Sequence, residues 1–405
     1  MVCILYTLRL LYRVRRDITT HSSAPKRWRC ATIDTFRGVT LCMMIFVNYG
    51  GGGMAVFQHS AWDGMTAADV VFPWFAWIMG FTMRLGASNG NKVIGSVSKV
   101  LTRCLKLFLL GLFLNNGRNW AEWRIPGQLA LGTAYLICFS SARLVDCLMA
   151  RRSSQASGLP LIATHSIVAI APLVLINLFV TFLLPVPGCP TGYIGPGGDS
   201  DGGAHRNCTG GAHLYLDRLM FGETHIFQTP TCKAVFHTGP FDPEGVLNWL
   251  MIAVTAYLGY IAGIMYSTER SKLKTQVLAG AILFLAAALV SGGFGVVERG
   301  IPLNKNLWSL SYVLMSSALA HFAFALLHFF GDDESARSSF AFVGRNPIFL
   351  YVMHEVLQSY VPFSVKPSAE VGPSSALLLL HNVAGVLWWI FMAEWLHARG
   401  IYMSV

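Results

Sequence analysis

Four short polar clusters interrupt an otherwise apolar chain: DTFRG at 34–38, NYGGGG at 48–53, QHSAWDG at 58–64 and TAADVVFPWF at 66–75. Their residue types suit proton transfer. The imidazole of His59 takes up and releases a proton near neutral pH and can itself attack an acyl carbon. Asn48 precedes it and Asp69 follows it, so a carboxamide or a carboxylate is available to fix its tautomer. A lone histidine is usually structural; polar groups on both sides favour a base or a nucleophile. Asp34 and Arg37 are three apart, which puts them on one helical face. They read either as an ion pair securing a helix end or as an anchor for an anionic cofactor. Trp62 reads as an interfacial anchor or as a platform for a sugar face, with Asp63 beside it as a further substrate contact.

Other chemistries find no support. Arg84, Arg143 with Asp146, His321, His354 with Glu355, and Glu394 are further polar residues in apolar runs. Their histidines come from distant segments without metal-ligand spacing, so no metal is expected. There is no phosphate-binding loop, dinucleotide fingerprint or Ser-His-Asp signature.

The elements that must hold these groups are membrane helices. Of 405 residues, 54% are hydrophobic and only 12% are charged, with a mean hydropathy of +0.52. A soluble domain is about 25% charged, so the expected fold is an all-α, polytopic membrane bundle. Apolar runs predict ten spans near 37–57, 65–86, 100–115, 126–149, 161–184, 246–267, 276–297, 307–330, 340–361 and 376–397. The glycines at 50–53 predict an irregular end to the first. Residues 1–30 form a basic cytosolic leader, and 31–405 form the membrane domain. The net charge of +10 is topology charge and not a nucleic-acid footprint. Lys and Arg concentrate in 1–37 and in the turns near 92–103, 151–152 and 270–274, which places both termini in the cytosol. The 58–64 loop has no basic residue, and 185–245 has few.

Loop 185–245 faces the oxidising side in this reading. Cys189 and Cys208 there are expected to bridge across a Gly-rich stretch with little core of its own, leaving Cys232 over or paired differently. Asn207-Cys208-Thr209 is an N-glycosylation acceptor on the same side.

The segment 34–80 resembles the start of the membrane domain of the heparan-alpha-glucosaminide N-acetyltransferase family. The likeness continues through TFLLPVPGCPTGYIGPGGDSDG, NCTGGA, DPEG, IPLNKNLWSLSYV and GRNPIFLYVMHEV, and covers almost all of 30–405. The resemblance implies a lysosomal, multi-pass transmembrane acyltransferase. It would take cytosolic acetyl-CoA and acetylate the terminal glucosamine amine of heparan sulfate in the lumen. On the residues that match, His59, Asn48 and Asp69 are the expected catalytic group, with His59 as base or transient acetyl carrier. Positive groups near the cytosolic mouth, Arg37, Lys99 and Arg103, with Asp34 beside Arg37, are expected to hold CoA. The lipid bilayer is a partner, nucleic acid is not, and a homodimer is left open. The family also has a luminal domain and a span before this region. After Ile125-Pro126-Gly127 the chain reads QLALGTAYL where the family has an arginine. Those departures support the alternative: a catalytically weakened homologue, or a small-molecule transporter of the same fold.

Overall fold

The computed structural model describes residues 30–88, 97–115, 123–151, 158–269, 271–295, 300–331, 338–361 and 375–403. The expected leader falls outside these residues except for Cys30. In chain order the principal helices are α1 (Ala31–Asn48), α2 (Val71–Ser88), α3 (Val97–Asn115), α4 (Pro126–Arg151) and α5 (Leu159–Leu183). They continue as α6 (Ala212–Phe221), α7 (Thr231–Phe236), α8 (Val246–Thr268), α9 (Lys272–Val290) and α10 (Leu310–Gly331). The last are α11 (Ser339–Arg345), α12 (Pro347–Leu357) and α13 (Ser375–Ala398). The protein is an all-α membrane protein.

Among the described residues, six helices are long and apolar enough to cross a membrane: α4, α5, α8, α9, α10 and α13. The expected count of ten is not reached by length and composition. Asp34 and Arg37 interrupt α1, and Lys99, Arg103 and Lys106 interrupt α3. The run at 65–86 begins with loop and a short 3₁₀ turn, so α2 starts only at Val71. The run at 340–361 is broken before Pro347, because proline disfavours the helical region for the residue preceding it. α1 stops at Asn48, and Gly50 to Gly53 all take left-handed backbone, as the glycine run suggested.

The chain forms two compact units, one of residues 1–58 with 323–405 and one of 59–322. Lipid gives helices no hydrophobic reason to associate, so close backbone contact and buried polar bonds must do it. In the first unit α1 and α11 seat on each other's backbone. A Cβ at Gly38 would lie 1.8 Å from the Phe340 carbonyl oxygen, and one at Gly344 1.8 Å from that of Asp34. The second unit repeats the device between α2 and α8. A Cβ at Gly80 would lie 1.7 Å from the Ala256 carbonyl oxygen, and one at Gly259 1.9 Å from that of Trp77. α8 is the central helix of this unit, with 78% of its apolar window buried against 17% for α5 and α9. Buried polar bonds complete the packing. Gln276 donates to the Ala262 carbonyl (3.2 Å) and accepts from His321 Nδ1 (2.7 Å).

The segment 185–245 folds as a cap within the second unit. Cys189 and Cys208 are disulfide-bonded as expected. Cys232 is a free thiol, buried and bonded to the Thr238 hydroxyl. The cap has more core than its glycine content suggests. Leu214, Ile226, Cys232 and Phe241 cluster there with Trp62 and Leu307. The chain turns tightly elsewhere in the cap, and a Cβ at Gly198 (φ 58°) would lie 1.9 Å from the Phe236 carbonyl oxygen. Arg124, ahead of α4, pairs with Asp242 (Nε to Oδ2, 2.8 Å) and with Glu244, tying α4 to the turn that starts α8. Asp217 of α6 accepts from the Val246 N–H (2.8 Å), which caps α8 with a carboxyl. Burial, reinforced by Asp242 and opposed by the Val246 bond and Arg124, pushes the Asp217 carboxyl up to about 8.

Two outcomes follow from this packing. Gly259→Leu should destabilise the protein by about 3 kcal/mol or more, since its side chain has only backbone to displace; a fall in melting temperature of the detergent-solubilised protein checks this. Asp217 holds a proton in the fold that it lacks when unfolded. Its contribution is therefore complete below the ordinary carboxylate range and is lost as pH rises through about 8. Melting temperature should fall across that window in the parent, and much less in Asp217→Asn.

Candidate active site

The loop between α1 and α2 is organised by one buried carboxylate. Asp69 is fully buried, in a 3₁₀ turn (Ala68–Val70) ahead of α2. Its Oδ2 accepts from the Ser60 N–H (3.1 Å), the Thr66 N–H (3.1 Å) and the Thr66 hydroxyl (3.0 Å). Its Oδ1 faces His59 Nδ1 at 2.8 Å and Lys305 Nζ at 3.4 Å. Lys305 Nζ is also 3.0 Å from His59 Nδ1. A carboxylate only accepts, so a proton on Nδ1 given to Asp69 satisfies it and leaves Nε2 as the basic nitrogen. The Lys305 ammonium, which only donates, then turns its protons to Asp69 Oδ1, and its approach to Nδ1 is a contact between charges and not a hydrogen bond. The imidazole is 38% exposed while Asp69 is at 0%. Burial opposes charge on Asp69, but the His59 bond and the Lys305 charge outweigh it and hold the carboxyl down to about 2. The partner therefore stays ionised in mildly acidic solution.

The segment 303–312 is the template for this loop. Gly64 N–H donates to the Leu303 carbonyl (2.7 Å), and the Asn304 side chain donates to Asp63 Oδ1 (3.0 Å). Asn306 donates to the Ala61 carbonyl (3.3 Å), and the Tyr312 hydroxyl to the Asp69 carbonyl (2.6 Å). Trp308, fully buried within the template, sits in left-handed backbone at φ 45°, a conformation costly for a bulky residue. Loops 59–64, 185–245 and 300–309 meet in the second unit.

The expected residues separate into groups. His59 and Asp69 come together, and exposed Asp63 lies on the same loop. Asn48 belongs to the first unit, where it donates to Glu355 Oε1 (3.0 Å) and lies 3.3 Å from His354 Nε2. Trp62 is 3% exposed, donates to the Ile194 carbonyl (3.0 Å) and packs on Phe241, so it offers no open face to a sugar. Arg37 bonds Asp34 (3.0 Å) and the Gly344 carbonyl (3.0 Å), the ion-pair alternative. Arg103 is exposed with its guanidinium 4.9 Å from the Tyr135 ring centre, and Lys99 falls in α3. Asn207 is exposed beside the disulfide. No cluster of His, Cys, Asp and Glu able to hold a metal occurs among the described residues. Lys305 was not singled out by sequence, although it lies inside the resembling segment IPLNKNLWSLSYV. Its signal was a lysine next to an apolar run.

The architecture is that of a multi-pass membrane protein with an Asp-supported imidazole on a wet loop. No protein-family model matches the chain. It is 36% identical over 417 residues to the heparan-alpha-glucosaminide N-acetyltransferase of Mus musculus, covering 95% of this chain and 62% of that protein. It is 36% identical over 410 residues to the Homo sapiens protein of the same name, covering 95% and 61%. The chain belongs to the heparan-alpha-glucosaminide N-acetyltransferase family and spans about three fifths of the length of these relatives.

Asp69→Asn keeps the shape of the side chain but puts an amide NH₂ among donors, whichever way the amide turns. Residues 58–69 should lose protection in amide hydrogen exchange, at an overall cost of about 3 kcal/mol, while α8 remains protected. Unchanged exchange of the loop would show that the carboxylate does not organise it.

Proposed function

We propose that the chain moves acetyl from cytosolic acetyl-CoA to the terminal non-reducing glucosamine amine of heparan sulfate, in the lysosomal membrane. The observation that carries this reading is His59, fixed through Nδ1 by a buried Asp69 and exposed at the ring. The sequence likeness to acetyltransferases supplies the reaction class. A glucosamine amine arrives protonated in an acidic compartment and cannot attack until it loses a proton. Nε2 takes that proton, and the nitrogen lone pair forms the N–C bond to the acetyl carbonyl carbon. The C–S bond breaks, its electron pair leaves on the CoA sulfur, and the second nitrogen proton goes to that sulfur. The proton on His59 is then released to solvent. Asp63, exposed on the same loop, attracts the incoming ammonium.

The remaining assignments belong to the same proposal. Ten crossings put both termini in the cytosol and 185–245 in the lumen, with a glycan on Asn207. Arg103 and Lys99 meet the CoA phosphates through charge-assisted bonds. Arg37, already engaged by Asp34 and Gly344, serves the helix end. Asn48, which matches the family's asparagine, enters on the family resemblance as a member of the catalytic group. The QLALGTAYL segment, which lacks the family's arginine, favours the second reading of a weakened homologue or a transporter.

Purified His59→Ala should bind acetyl-CoA like the parent and transfer acetyl to a glucosaminide 10²–10⁴-fold more slowly, roughly the loss of a general base. Near-normal transfer would remove His59 from the mechanism. No transfer by the unmutated chain would favour the second reading. An acetylated His59 formed from acetyl-CoA alone would make the imidazole a carrier rather than a base.

A further inference from the structure

A histidine paired with a buried carboxylate has a difficulty in acid. The carboxylate that fixes its tautomer also stabilises the doubly protonated ring, and a doubly protonated ring accepts nothing. The Asp69 carboxylate stays charged, so the difficulty is real here. Lys305 is placed to meet it. Its ammonium lies 3.0 Å from His59 Nδ1 and 3.4 Å from Asp69 Oδ1, and its side chain is only 15% exposed. The 303–312 template holds it there, since its neighbours Asn304 and Asn306 bond Asp63 and Ala61. Among the described residues, the charged groups bonded to or in contact with the ring are thus Asp69 from the turn before α2 and Lys305 from the template. Asp63, on the ring's own loop, spends Oδ1 on Asn304.

We infer that Lys305 is a positioning residue that sets the pH at which His59 works: its fixed ammonium opposes a second proton on the imidazole and keeps Nε2 able to accept in acid. A second proton would put two cations about 3 Å apart on a partly shielded surface, where like charges repel by more than they do in bulk water. Lys305 also neutralises the Asp69 charge that would otherwise favour that proton. The inference rests on His59 as the base. It adds that a cation from a distant segment makes this base usable in an acidic lumen.

The test reads the ring directly, without turnover. Diethylpyrocarbonate reacts with the neutral imidazole, so its rate at the His59 peptide, followed by mass spectrometry from pH 5 to 8, gives the midpoint of the ring's titration. In Lys305→Met that midpoint should rise, because a like charge beside the ring is removed. Lys305→Arg should restore it. The acid limb of acetyl transfer should move in the same direction in Lys305→Met. Lys305→Gln, neutral but still a donor, replaces the methionine variant if that one does not fold, and should show the same rise. Melting temperature and acetyl-CoA binding establish that each variant is intact. An unchanged midpoint in an intact neutral variant overturns the inference. A uniform rate loss with an unshifted pH profile does so as well, because it makes Lys305 purely structural. Normal transfer by His59→Ala would instead overturn the base assignment, whatever the probe reads at the ring.

Discussion

A carboxylate without solvent exposure is tolerated only when its charge is matched and its lone pairs are filled. Asp69 meets that condition with Ser60, Thr66, His59 and Lys305, and the surrounding loop takes its shape from doing so. Two backbone N–H groups, a hydroxyl, an imidazole and an ammonium must converge on two oxygens. That convergence fixes the path from 59 to 69 and the entry into α2, and it gives the imidazole one orientation. The Tyr312 hydroxyl, bonded to the Asp69 carbonyl, ties the same turn to the start of α10.

Such convergence is useful only if the elements carrying the donors do not drift. The reciprocal glycine contacts of α2 with α8 leave no room for sliding, because each glycine lies against the other helix's backbone. α8 is in turn tied at its first turn to α4 through Arg124 and the Asp242–Glu244 carboxylates, and to α6 through Asp217. The cap contributes a core of its own, with Trp62 in it, so the loop that carries His59 is pinned on its far side as well. Loops bear His59 and Lys305, while helix contacts and a buried cluster give those loops their rigidity.

The all-α fold and the polar first hairpin were legible because they are local: apolar runs of helical length, and polar residues within ten positions of each other. The pairing of His59 with Asp69 belongs to that class. Three features were not legible. Lys305 is 246 residues from His59, and no periodicity in one sequence links them. Trp62 looked suited to a sugar because a tryptophan beside a histidine and an aspartate carries the same letters whether its ring is wet or packed. Burial decided it, through a cap whose Gly-rich sequence concealed its core. The points where the helices break were the third, because hydropathy runs do not show the interruptions at Pro347 and in the loop before Val71.

The contrast in exposure within the site carries the last step. A group that exchanges protons with solution cannot be sealed, and a charge that persists in acid gains from being so. His59 is the open member and Asp69 the sealed one, with Lys305, at 15% exposure, closer to the sealed state. The arrangement separates electrostatic control from chemical contact. Two buried or nearly buried charges lie against the ring, and of the three groups the ring is the one open to solution. A site built from exposed groups only would have its fields weakened by water and ions. A fully buried ring would exclude any large solute. Placing the pair at the junction of an exposed loop and a helix end satisfies both demands.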